Sequence, residues 1–401
     1  IDGLPPRTPD PDPTLAAMTV RSKRAKPSPA QRALILRAQG EMGIADIATI
    51  ETVPPDAVRV RIISCGICGS DDHYYRAGRI GNFVVESPMV LGHEVGGVVD
   101  EVGADVTHLR VGDKVALEPG IACHACALCA SGKYNLCPKM SFFATPPVHG
   151  ALCTEVVYPA RLCFHLPPPL TTEHGALCEP LSVAVYAVET KARVQPGQVV
   201  AVFGAGPIGV LVALVAAANG ARVITIDMNA KRLDALKALI PNAETLQPCT
   251  EAEETAAAVR ARAAQVGAAA DGGTWEGDVA ASIDCTGAEP CLRAGIFAAR
   301  SGGVLVMVGL GRPEIRLPTV EALTREVDIV GCFRYRGTWP RCIALMASGS
   351  IPLDALITHR YAFEDDAVRS AFDACNTGQG LDGRAVFKCM IKLAPEPDDQ
   401  A

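Results

Sequence analysis

The sequence predicts an α/β chain of two domains, one a doubly wound parallel sheet and the other β-rich, and three observations carry that prediction. First, from about residue 196 short β-branched runs alternate with helical ones. Val199–Phe203, 207–219, Arg222–Ile226 and 231–240 follow in order, and strand-like runs recur at 281–284, 304–308 and 327–332, with 289–299 helical. Such alternation builds parallel strands joined by crossover helices. Second, residues 33–165 carry many short strand-like runs separated by Gly and Pro turns. Third, the chain has 401 residues and is 49% apolar, which is ample for large cores and too apolar for a mainly disordered chain. A further strand-like run at 385–393 suggests that the tail from about 355 rejoins the first domain. The expected organisation is a flexible extension over 1–32, a β-rich domain over 33–190 completed by 355–396, and a parallel-sheet domain over 191–354.

Taken in order, the first thirty residues are rich in proline (Pro5, Pro6, Pro9, Pro11, Pro13, Pro27, Pro29) and hold a basic run, Arg21, Lys23, Arg24 and Lys26. That composition buries little apolar surface and reads as a flexible arm, with a remnant of an organelle transit segment as the other reading. It has no apolar core of a secretory signal. Residues 57–64 alternate as a half-buried strand does, and 95–102 and 113–117 are strand-like. The uncharged stretch 199–218 is long enough to span a membrane. Its β-branched opening and glycine break fit strand, turn and helix instead. Residues 268–279, rich in Ala, Gly and Asp, are expected to form a surface loop. The net charge of −7 argues against non-specific nucleic-acid binding, which needs a basic surface.

The run Gly204-Ala205-Gly206-Pro207-Ile208-Gly209 follows an apolar strand and opens an apolar helix, and Asp227 ends the next strand. In that context the glycines have separate jobs. Gly204 permits a tight turn, Gly206 lets backbone approach a pyrophosphate, and Gly209 lets helix and strand pack closely. The helix N-terminus offers unpaired N–H groups to phosphate. A carboxylate at Asp227 suits the ribose hydroxyls and repels the extra phosphate of NADP, so the expected cofactor is NAD. Arg232 is placed to flank or stack on the adenine, or to be a solvated helix residue.

Sixteen cysteines would make a disulfide framework in a secreted chain, and metal ligands with buried thiols in a reducing one. The spacing Cys123-x2-Cys126-x2-Cys129-x7-Cys137 favours the second. Four thiolates on close turns can surround zinc tetrahedrally, with no open position for chemistry. Reduced loop thiols or two disulfides are the alternatives, and His124 is a weak rival ligand. The reducing reading points to a cytoplasmic protein.

Cys68, the pair His93 and Glu94, and Glu179 stand in separate loop-like segments. A Cys, a His and a carboxylate with one open position can make a catalytic zinc site. Spacing alone leaves these residues open to ordinary loop roles, with Cys65 and Cys178 as adjacent rivals.

Longer strings identify a family. CGICGSDDHYY (65–75), GRIGNFVVESPMVLGHE (78–94), the four-cysteine run through KYNLCP, FFATPPVHG (142–150), EPLSVAV (179–185), GAGPIG (204–209), REVDIVGCFRYRGTWP (325–340) and ITHRYAF (357–363) together resemble the zinc-dependent medium-chain dehydrogenases, within them the polyol (sorbitol and xylitol) dehydrogenases, the plant type above all. The resemblance covers roughly 33–393. It implies a GroES-like catalytic domain, a Rossmann cofactor domain and a homotetramer or homodimer. It implies two zinc ions per chain, one catalytic on Cys68, His93 and Glu94 and one structural on Cys123, Cys126, Cys129 and Cys137. Glu179 would hold zinc-bound water or the substrate hydroxyl, or enter the metal shell itself. Ser70 would hydrogen-bond the reacting hydroxyl, and His73 would pass its proton outward. Tyr74, Phe142, Arg334 and Tyr335 would line the polyol pocket. Val308, Gly309, Leu310, Cys332, Phe333 and Arg334 would lie along the nicotinamide half of the cofactor, and Gly204, Gly206, Ile208, Gly209, Asp227 and Arg232 along the rest.

The implied reaction is reversible oxidation of a secondary alcohol to a ketone, D-sorbitol to D-fructose with xylitol to D-xylulose close behind. An L-arabinitol 4-dehydrogenase or another zinc alcohol dehydrogenase of the same fold is the alternative, and a non-catalytic cofactor-binding protein a remote one. Two positions depart from the family pattern: Gly337 stands where an Asn is usual, and Asp72 is charged where an apolar residue is usual.

Overall fold

The computed structural model describes residues 31–268 and 278–396. The arm at 1–30 and most of the expected loop at 268–279 lie outside the described residues. The first described strand begins at Gln31, so Gln31 and Arg32, expected in the extension, belong to a sheet.

The β-rich unit is organised around strand Ala57–Gly66, almost wholly buried along its length. It pairs antiparallel with Glu94–Val102 on one edge, and with Glu155–Pro159 and Lys388–Lys392 on the other. The last of these comes from the far end of the chain and itself runs parallel to Ile357–Ala362. Gln31–Ala38 forms a smaller sheet with Glu41–Ile47 and Met89–Val90.

Between these segments the chain builds a six-stranded parallel sheet from Val199–Phe203, Arg222–Ile226, Glu244–Leu246, Val279–Asp284, Ala299–Met307 and Asp328–Gly331. Counting these one to six, the order across the sheet is 3-2-1-4-5-6. That order reverses between the first and fourth strands, and the reversal opens a crevice at their carboxyl ends. Helix Pro207–Ala218 starts there, with Gly206 as its N-cap and Pro207 at its first position, where a missing N–H costs nothing. The stretch with transmembrane length is therefore a strand and a helix. Among the described residues, no helix is long and apolar enough to cross a membrane.

Helix Thr172–Val185 joins the two units. One side packs on strand Glu94–Val102, where Gly96 and Gly175 let the two backbones meet. A Cβ on Gly96 would stand 1.9 Å from the Thr172 carbonyl oxygen. The other side, through Leu177, Leu181 and Ala184, shares one apolar cluster with Val200, Leu211 and Trp339 of the parallel-sheet unit. Its core therefore runs across the domain boundary.

Candidate active site

The strand pairing assembles the first group of side chains. Cys68 caps helix Gly69–Ala77, just after the central strand ends at Gly66. His93 and Glu94 open the neighbouring strand, where Glu94 lies directly opposite Gly66. One ligand atom each from Cys68, His93 and Glu94 lies within 4.8 Å of the others. Gly66 makes room for this arrangement, because a Cβ there would come within 2.1 Å of Glu94 Oε2.

Two residues that spacing had not singled out hold the group in place. Asp71 is buried one turn into the Cys68-capped helix. Its Oδ2 accepts from the Cys68 N–H at 3.1 Å and its Oδ1 from the Gly92 N–H at 3.1 Å. The same Oδ1 lies 3.6 Å from His93 Nδ1. Burial opposes a charge on His93, but Asp71 and Cys68 overcome it and raise its pKa well above the usual value. Lys388, from the C-terminal strand, donates to Glu94 Oε1 at 2.8 Å, to Oε2 at 2.7 Å and to the Ile67 carbonyl at 3.1 Å. The two lysines within the apolar run 385–393 were the available signal, since a buried charge requires a counter-charge.

Glu179 lies outside the three-residue cluster but within its field. Burial pushes its carboxyl up to about 7, with His93 opposing and the Glu94 charge adding. Of the rivals, Cys178 is wholly buried and beside Cys342, and Cys65 is a buried thiol whose pKa burial raises well above its ordinary value. Neither is in the ligand cluster.

The parallel-sheet unit supplies the other wall. After strand Asp328–Gly331 the chain turns through Arg334 with φ 52°. The Arg334 guanidinium lies 3.6 Å over the Phe142 ring, which in turn faces His93 at 6.0 Å between centroids. It also donates to Thr145 Oγ1 at 3.1 Å. Tyr74 is buried close to Arg334, and desolvation lifts its phenol to about 12. The Tyr335 hydroxyl is buried with no hydrogen-bond partner among the described residues, and Glu179 is the strongest charge acting on it. Phe142, Tyr74, Arg334 and Tyr335 thus gather beside the Cys68 cluster. Ser70 is half-buried on the first turn of its helix, while His73 faces solvent.

Both departures from the family pattern have local explanations. Gly337 has φ 64°, a left-handed conformation that Asn and Gly both tolerate, and a Cβ there would meet nothing. Asp72 is paired with Arg76 at 2.8 Å, and Arg76 reaches Asp373 of helix Asp365–Thr377 at 2.8 Å.

At the crevice, Gly204 has φ 102°, and a Cβ on Gly209 would stand 1.8 Å from the Gly204 oxygen. A Cβ on Gly206 would project into open space, the room a pyrophosphate needs. Asp227 accepts from the Ala205 N–H at 2.6 Å and the Asn229 N–H at 2.7 Å, and remains half-exposed at the strand end. These residues fit a dinucleotide. Val308, Gly309 and Cys332 follow the ends of the neighbouring strands, Gly309 packing on the Gly287 backbone. Leu310 and Phe333 are exposed there. Arg232 reaches across to Gly378, where a Cβ would lie 2.5 Å from its Nη2. Its guanidinium thus abuts the end of helix Asp365–Thr377.

The four-cysteine loop is compact. Its sulfur separations are 3.5 Å (Cys126–Cys129 and Cys123–Cys137) and 4.0 Å (Cys123–Cys129 and Cys126–Cys137). A tetrahedral zinc with bonds of about 2.3 Å requires sulfur edges of about 3.8 Å, so the set fits zinc. A disulfide needs about 2.05 Å, and all sixteen cysteines are free. Backbone N–H groups at Ala125 and Cys126, with the Cys137 thiol, draw the Cys123 thiol down to about 6. His124 is outside the set.

Comparison with known proteins adds independent findings. Residues 54–168 match the alcohol dehydrogenase GroES-like domain, and 207–348 the zinc-binding dehydrogenase domain. A sorbitol dehydrogenase of Arabidopsis thaliana is 44% identical over 345 residues, covering 86% of this chain and 90% of that protein. A D-xylulose reductase A of Aspergillus niger is 44% identical over 329 residues, 82% of this chain and 88% of that protein. The crystal structure of 2R,3R-butanediol dehydrogenase from Bacillus subtilis superimposes with a TM-score of 0.78 at 28% identity, over 91% of this chain and all of the other.

Proposed function

Because the chain belongs to the zinc-dependent polyol dehydrogenases of the medium-chain family, we propose that it interconverts a polyol and a ketose with NAD, D-sorbitol and D-fructose foremost and xylitol and D-xylulose beside them. The observation that carries this reading is the convergence of Cys68, His93 and Glu94 from the β-rich unit with Arg334 and Tyr335 from the parallel-sheet unit as a cluster of largely buried polar side chains. The relatives named sorbitol dehydrogenase and D-xylulose reductase support the same substrate class.

When bound on Cys68, His93 and Glu94, zinc lowers the pKa of an alcohol hydroxyl, and NAD on the glycine turn supplies the hydride acceptor. The side chains do the rest. Asp71 holds the His93 ring and Lys388 neutralises Glu94, so neither ligand rests on bulk water. Glu179 holds the hydroxyl end of the substrate. Ser70 takes its proton, and His73 on the same helix hands it to solvent. Arg334, Tyr335 and Tyr74 receive the remaining hydroxyls, and the unpartnered Tyr335 hydroxyl is suited to that task. A carboxylate-rich site fits a substrate carrying many hydroxyls better than an apolar alcohol. Asp227 favours NAD over NADP.

The four-cysteine set supports a second, structural zinc. Assembly with further copies, as a homotetramer or homodimer, is supported by Asp328–Gly331, the edge strand of its sheet, and by the exposed Leu310, Val320 and Leu323 nearby. Sixteen free thiols fit a reducing compartment such as the cytoplasm.

The test is kcat/KM across D-sorbitol, xylitol, ribitol and L-arabinitol, each with NAD and NADP, on protein whose zinc content is measured. Sorbitol or xylitol with NAD should rank first, with two zinc ions per chain. Turnover of simple alcohols or threonine but not polyols would refute the reading.

A further inference from the structure

The substrate loop is tied to the cysteine lobe across the domain boundary. Residues 332–338 follow the edge strand of the parallel sheet, whereas the lobe 123–137 belongs to the β-rich unit. Three hydrogen bonds join them. Asn135 Nδ2 donates to the Phe333 carbonyl at 2.9 Å, Arg336 Nη1 donates to the Gly132 carbonyl at 3.0 Å, and the Gly337 N–H donates to the Tyr134 hydroxyl at 2.7 Å. They fall immediately before and after Arg334 and Tyr335, the two side chains that the loop presents to the pocket.

The loop needs holding. Arg334 has φ 52° and Gly337 has φ 64°, so the chain passes through the left-handed region at two nearby positions. For an arginine that conformation is uncommon and is kept only where surrounding contacts impose it. Asn135 is buried, so its bond to Phe333 is shielded from competing water. The Arg334 guanidinium is also aimed at Phe142 and Thr145, in the segment just after the lobe. A shift of the lobe would therefore move the loop and the surface that its arginine rests on together.

We propose that the cysteine lobe is a latch on the substrate loop. Asn135 and Arg336 are positioning residues that set where Arg334 and Tyr335 stand, so polyol affinity depends on them more strongly than does cofactor affinity, most of whose contacts lie on the glycine turn and Asp227. The proposal rests on the reading that Arg334 and Tyr335 receive the substrate.

The experiment uses the full-length, zinc-loaded enzyme with Asn135→Ala, Arg336→Ala and Arg334→Gln, singly, and Asn135→Ala combined with Arg334→Gln. Asn135→Ala and Arg336→Ala should each raise the sorbitol KM about three- to tenfold, the size expected for a lost hydrogen bond in a shielded site. The kcat and zinc content should stay within about twofold of the parent, and KM for NAD and NADH binding followed by fluorescence should shift less than the sorbitol KM. On the Arg334→Gln background the Asn135→Ala effect should largely disappear, because both changes act through one side chain.

A sorbitol KM unchanged in both single variants overturns the latch. Sorbitol and NAD constants moving together with a loss of zinc would also overturn it, as would full additivity with Arg334→Gln. If Arg334→Gln itself leaves the sorbitol KM unchanged, the substrate reading of the loop falls and the latch with it. If it raises KM while the other two variants do not, only the latch falls. Should Asn135→Ala fail to fold, Arg336→Ala decides, since its half-exposed side chain can be removed without opening a core.

Discussion

Glu94 and Lys388 form a pair whose side chains are 1% and 5% exposed. Two charges removed from water stay charged together only because each satisfies the other, and removing one leaves the second uncompensated. Lys388→Met is therefore expected to destabilise the fold by about 3–5 kcal/mol in urea denaturation. Adding Glu94→Gln on top should restore part of that loss. A Lys388→Met variant that melts like the parent would show that the pair does not hold the strand end. The pair also marks how far residue reading reaches. Cys68, His93, Glu94 and Glu179 stood out through strings that resemble a family. Asp71 and Lys388 did not, because their importance lies in which neighbour each touches. Lys388 meets Glu94, 294 residues away, only because their strands flank Ala57–Gly66 on either side.

At the scale of elements, legibility tracked how local the cause was. Strands Val199–Phe203 and Arg222–Ile226 were readable to the residue, since β-branched runs end at glycine and at a strand-end aspartate. The clustering of the four cysteines was readable because they lie close together in the sequence, and the structure brings their sulfurs together. Helix Gly69–Ala77 was not, being mostly polar and capped by a cysteine. Helix Thr172–Val185 was hidden by its internal Pro180 and by glycines whose reason is a close backbone contact with another strand. The lobe permits a prediction of its own. If the four cysteines hold a zinc ion, Cys126→Ser should lose it and lower the melting midpoint by about 2–3 °C, corresponding to roughly 2 kcal/mol for a chain of this size. An unchanged melting curve with unchanged zinc content would contradict the structural role of the four cysteines.

For the molecule as a whole, the rejoining of the tail was legible from a single strand-like run, and the strand Lys388–Lys392 does pair with the centre of the β-rich sheet. What composition could not convey is that the core crosses between units through helix Thr172–Val185. Nor could it show which surface stays open. Val320 and Leu323 are 69% and 77% exposed next to an edge strand, an apolar patch that suits a second copy of the chain. Val320→Glu together with Leu323→Glu should weaken self-association by at least about tenfold in sedimentation, given the burial energy of such side chains. Identical sedimentation of variant and parent would place the contact elsewhere.

The Glu94–Lys388 pair also imposes a schedule on biosynthesis. The carboxylate leaves the ribosome 294 residues ahead of its lysine, and at about 5–20 residues per second that interval is roughly 15–60 s. Throughout it the central strand can pair with its neighbours, but the acid at their junction has no counter-ion. The β-rich unit therefore cannot finish during its own synthesis. It waits for the inserted parallel-sheet unit to emerge first, which makes strand Lys388–Lys392 the step that closes this unit.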